Sequence, residues 1–208
     1  MLQKLNATSN LVFIPIFILS FFALNYGLQN IVYGSTGYND IALQKESERE
    51  IFWNSSFGVT LKAVLDIVTI SMLLYFSLLL SSKKIKFLTI LWVVIFSYFS
   101  FILQMVFEAI IINSYQGSNI PIDLEDFSFL SIYYFLDVFK IGTPTELKYL
   151  LQTLSVFELL FMFLLMFSLQ TKAKLEGNFV LKIVIVGYFI PLLIWLMVIS
   201  VVSLLYIS

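Results

Sequence analysis

The chain has 208 residues, 60% of them hydrophobic and 12% charged, with a formal net charge of −1. Soluble domains hold about 45–50% apolar and about 25% charged residues, and one this short has too little interior to hide the excess, so the expected solvent is lipid. The near-neutral charge gives no sign of nucleic-acid binding, and the lack of cysteine and histidine removes disulfides, thiolate nucleophiles, Cys/His metal sites and histidine proton transfer at neutral pH.

Five stretches are long and apolar enough to cross a hydrocarbon core, which takes about 20 residues of helix. The first is 11–33, "LVFIPIFILSFFALNYGLQNIVY", with Asn25, Gln29 and Asn30 towards its far end. Its flank holds one lysine, Lys4, and no convincing small-x-small cleavage site follows. It therefore reads as a retained span rather than a secretory signal. A mixed-charge connector, 34–58, leads to the second span, 59–81. There Lys62, Asp66 and Thr69 are spaced by four and three and fall on one helix face. Lys62 and Asp66 have the spacing of an i,i+4 ion pair.

A short basic turn, "SSKKIK" (81–86), opens the third span, 87–113. Ser97, Ser100, Gln104 and Glu108 share one face of it, at about 100° per residue. The connector 114–150 contains "DLEDFSFLSIYYFLDVFK", too short and too charged to span. Segment 123–141 is expected to form a helix lying in the membrane interface, between the third and fourth spans.

The fourth span, 151–170, includes "SVFELLFMFLLMFSLQ", whose single carboxylate is Glu158. A second basic turn, "QTKAKLEGN" (170–178), precedes the fifth span, 179–206. In "VGYFIPLLIWL", Pro191 lacks an N–H and crowds the carbonyl of Gly187 four residues back, so a kink is expected there. The fold class is therefore all-α, a five-helix transmembrane bundle forming one membrane domain over 1–208.

Cytoplasmic loops retain lysine and arginine. With the N-terminus inside, the inner set is Lys4, Lys83, Lys84, Lys86, Lys172, Lys174 and Lys182, crowded into short segments beside spans. The expected location is the plasma or bacterial inner membrane, N-terminus cytoplasmic and C-terminus external. Asp66, Glu108 and Glu158 then fall at similar depth in the outer half of the bilayer, with Glu158 about 10 Å below the end of its span.

A charge at depth costs several kcal/mol, so these groups should face the bundle interior. Two readings stay open. Lys62, Asp66, Gln104, Glu108 and Glu158 form a polar cavity that binds an ion or a polar ligand group. Alternatively they are interhelical fastenings, worth about 0.6 kcal/mol apiece. No P-loop, G-x-S-x-G, H-E-x-x-H or paired-glutamate protease motif is present, so no enzymatic activity, cofactor or metal is expected.

The order of spans over about 11–206 resembles the YIP family of small polytopic membrane proteins. The resemblance lies in "KFLTILWVVIFSYFSFILQMVF" and in the closing "LLQTLSVFELLFMFLLMFSLQTKAKLEGNFVLKIVIVGYFIPLLIWL", which is similar to the last two spans of the family. The family's usual Asp before the Phe, its Trp and its late glycine are replaced here by Ser155, Phe161 and "FSLQ", so no family site transfers residue by residue. The resemblance implies five membrane helices and a cytoplasmic N-terminus. Eukaryotic members act in vesicle trafficking through a longer N-terminal region. Some bacterial members accompany ABC exporters, including those that protect against peptide toxins. That implies an accessory subunit with an ABC permease and ATPase as partners. The competing expectation is a small transporter or channel using the intramembrane carboxylates. The third is an intramembrane enzyme with a carboxylate acid–base pair.

Overall fold

In lipid every backbone N–H and C=O must bond within its own segment or to a neighbour, and long apolar runs answer this by coiling into helices. The computed structural model describes residues 15, 17–23, 26–27, 56–115, 130–142 and 147–207. These residues form an all-α fold. Four helical stretches are long and apolar enough to cross a membrane: Phe57–Leu80, Phe87–Ile111, Val156–Ala173 and Gly177–Val202. Of the first expected span, the described positions are helical, with Phe17 and Phe21 stacked at 6.1 Å. Its polar residues Asn25, Gln29 and Asn30 lie outside the described residues.

Helix α1 runs Ser56–Leu80. It ends where Ser82 turns left-handed, with φ 58°. Lys83 N–H then donates to Leu78 O at 3.1 Å and Ser82 N–H to Leu79 O at 2.9 Å, which satisfies the last carbonyls of the helix. The third expected span divides at Tyr98 into α2, Phe87–Ser97, and α3, Phe99–Tyr115. Two serines explain the break. Ser97 Oγ donates to Val93 O at 2.8 Å, and Ser100 Oγ to Ser97 O at 3.1 Å, drawing carbonyls out of the regular ladder.

The segment expected to lie in the interface contains α4, Ile132–Val138. It stops at Lys140, also left-handed, in the same two-bond closure as α1. Its start, 123–129, lies outside the described residues. Ile132, Phe135, Val138 and Phe139 are exposed along it beside the exposed Asp137 and Lys140. The fourth span differs from the expected 151–170. Residues Lys148–Thr153 form a separate short helix, α5, and the spanning helix α6 begins at Val156 and reaches Ala173. Leu154 and Ser155 are extended between them, because Ser155 caps α6. The fifth is α7, Gly177–Val184, then a π-turn, Ile185–Phe189, then α8, Ile190–Ile207.

The chain falls into two compact units. One comprises Met1–Asp66 and Ala109–Ile120; in it the start of α1 buries Thr60 and Ala63 and leaves Lys62 exposed. The other comprises Ile67–Glu108 and Pro121–Ser208. In this unit α2 packs on α6, α6 on α7, α4 on α5, and α5 against α8. Phe161, Leu165 and Leu169, each four residues apart, make a fully buried stripe on α6 with Ile90, Val93 and Val94 of α2. The outward faces are as apolar as the core: Phe163 is 59% exposed and Trp195 60%. Wide apolar surface all round the spanning helices belongs in lipid, and the protein is a multi-pass membrane protein.

Candidate functional site

Glu158 occupies the third position of α6. Ser155, just before the helix, is extended, and its Oγ accepts a hydrogen bond from Glu158 N–H at 3.2 Å. Ser131 does the same for α4, accepting from Tyr134 N–H at 3.0 Å. The two serines face each other in an isolated antiparallel bridge. Ile132 N–H donates to Leu154 O at 2.9 Å and Val156 N–H to Leu130 O at 3.1 Å. Helix α4 is thus clasped to the first turn of α6. Both serines are buried.

The Glu158 side chain is 4% exposed, and its Oε1 accepts a hydrogen bond from the Tyr188 hydroxyl. Tyr188 sits in the π-turn, where Ile190 N–H donates to Ile185 O, five residues back. Pro191 follows at once and has no N–H to give to Gly187 O, so the α-helical ladder is interrupted at this level in any case. Gly187 lies against α1. A Cβ there would stand 2.7 Å from Ser77 Oγ and 3.1 Å from Leu74 Cδ2, so this crossing admits only glycine without a shift. Below the pair, the fully buried Phe161 ring lies 4.9 Å from Tyr188, 5.0 Å from Phe101 and 6.3 Å from Tyr98, centre to centre.

The structure joins two features that the sequence keeps apart: the acid of the fourth span and the glycine–proline step of the fifth. Glu108 and Gln104 meet each other, Gln104 Nε2 donating to Glu108 Oε1 at 3.0 Å within α3. Ser97 and Ser100, on the same stripe, bond their own backbone. Lys62 and Asp66 lie one turn apart on α1, in the other compact unit from Glu108 and Glu158. Two residues of the site, Ser155 and Tyr188, are not among those the sequence marks as site candidates. Ser155 was signalled by Ser-x-x-Glu at 155–158, a capping-box pattern at a helix start. Tyr188 had no signal, being one aromatic among many and 30 residues from its partner.

Chemically, the arrangement holds a buried carboxyl group at the positive end of a helix, with a phenol as donor whose ring packs on Phe161. Among the described residues no group of three or more acids stands close enough to hold a metal ion. No family model, curated protein or solved structure matches the chain.

Proposed function

We propose that the chain is a non-enzymatic membrane subunit that acts by packing against other membrane proteins. One observation carries this reading: the buried and half-buried polar groups described in the spans bond within the protein itself. Glu158 is closed on Tyr188, Gln104 on Glu108, and the hydroxyls of Ser71, Ser77, Ser97 and Ser200 each donate to a carbonyl four residues back. Apart from Lys62 and Thr69 on α1, which are exposed, the outward surface of the described spans is mostly apolar, suited to lipid and to neighbouring helices. In this reading 1–208 is one membrane domain of five spans, with 11–33 the first, the N-terminus cytoplasmic and the C-terminus external. The resemblance to the YIP family makes an ABC permease and its ATPase the partners to look for, in an exporter or a peptide-toxin immunity system. The test is native co-purification through an N-terminal tag in mild detergent. A permease and ATPase in fixed ratio are expected, and a homogeneous chain alone would refute the reading.

A second reading, a small transporter or channel, has one observation in its favour. The π-turn puts a widened, proline-adjacent stretch of helix directly beside a buried carboxylate, and such turns recur at functional sites. Proteoliposome flux abolished by Glu158→Gln with the fold intact would establish it.

A further inference from the structure

We propose that the end of the larger unit carrying the 81–86 and 174–176 connectors binds the phosphate headgroups of anionic phospholipids. Six lysines gather there: Lys83, Lys84 and Lys86 between α1 and α2, and Lys172, Lys174 and Lys182 around the turn from α6 to α7. All six are exposed. The two connectors belong to one surface, because Lys83 Nζ lies over the Phe179 ring, 5.5 Å from its centre. Among these lysines the connectors place a single acid, Glu176.

The backbone adds to the positive field. Helices α2 and α7 both begin here, and neither first turn is capped by a side chain. Their N–H groups carry the partial positive charge of a helix start, which favours a phosphate oxygen. The connectors are held in shape by left-handed residues, Ser82 at φ 58° and Lys174 at φ 51°.

Apolar surface lies next to this charge, and that selects a lipid over free phosphate. Leu80 is 88% exposed and Leu181 45%, each within a few residues of the lysines. The ends of spanning helices sit in the headgroup layer, where such lysines meet the diester and such leucines the acyl chains.

The test uses the full-length chain purified in neutral detergent, with bound lipid counted by native mass spectrometry. Dioleoylphosphatidylglycerol is titrated against dioleoylphosphatidylcholine. The expected result is preference for phosphatidylglycerol of at least about 25-fold, weakened by salt. Lys84→Gln/Lys86→Gln leaves the Lys83–Phe179 contact in place and should lower phosphatidylglycerol affinity about 25-fold, at about fivefold per lysine. Lys140→Gln/Lys148→Gln, just after α4 and at the start of α5, should leave it unchanged. Equal binding of the two lipids by the native chain overturns the proposal, as does equal loss in both double variants. Full competition by millimolar inorganic phosphate would assign the surface to a soluble anion instead.

Discussion

Replacing Tyr188 by phenylalanine removes one hydroxyl and keeps the ring that packs on Phe161, so it isolates the bond to Glu158. Side-chain bonds between membrane helices average about 0.6 kcal/mol, with a maximum near 1.7. This bond should fall near the top of that range. Its acceptor is a carboxyl group 4% exposed, and removing the donor leaves part of the acceptor's desolvation uncompensated, a loss of about 1–3 kcal/mol in buried sites. Tyr188→Phe is therefore expected to cost about 1.5 kcal/mol. Glu158→Gln should cost less, because the amide oxygen still accepts from the phenol while the interaction of the charge with the helix start, about 0.3–1 kcal/mol, is given up. The assay is reversible unfolding in mixed micelles, run as a double-mutant cycle with Glu158→Ala. A coupling of about 1.5 kcal/mol is expected for residues in direct contact. A coupling below about 0.5 kcal/mol would show that the bond holds nothing together and would refute the reasoning.

Gly187→Ala places a Cβ 2.7 Å from Ser77 Oγ and 3.2 Å from Ser77 Cβ, and should destabilise by about 1–3 kcal/mol as overpacking does. Adding Ser77→Ala should restore only part of this in the same unfolding assay, since the Leu74 contact at 3.1 Å remains. Ser155→Ala removes the cap of α6 and should cost about 1 kcal/mol, with the exchange of backbone amides in the first turn of that helix speeding up. Phe161→Ala and Phe163→Ala delete the same atoms from neighbouring positions of one helix. The first residue is fully buried and the second 59% exposed, so thermal unfolding should show a loss of about 3–5 kcal/mol for the former and little for the latter.

The spanning helices were legible because a run of some 20 apolar residues has few other structures open to it in lipid. Their interruptions were not. The break at Tyr98 depends on where two serine hydroxyls turn, and a serine inside an apolar run gives no sign of whether it bonds its own helix or a neighbour. The start of α6 at Val156 was written in Ser155 and Glu158, but the mostly apolar residues before it, Tyr149, Leu150, Leu151 and Leu154, hide the pattern in what reads as continuous span. Glu158 stood out because a lone acid among large apolar residues must find a partner. Which partner is a matter of tertiary geometry, and Tyr188 is set against it by a π-turn that no local preference announces. Pro191 marks the place where a helix cannot keep its ladder, without telling whether it bends, widens or breaks.

The central claim is that the outward apolar faces meet other membrane proteins while the internal polar groups fasten the bundle. It is tested most directly by site-specific photo-crosslinking in native membranes, with the crosslinker placed in turn at Phe96, Phe163, Trp195 and Val201, all exposed. The account predicts that at least one of these helix faces yields a single protein adduct of constant mass, and that the same adduct forms in Glu158→Gln. Lipid adducts alone at every position would contradict it.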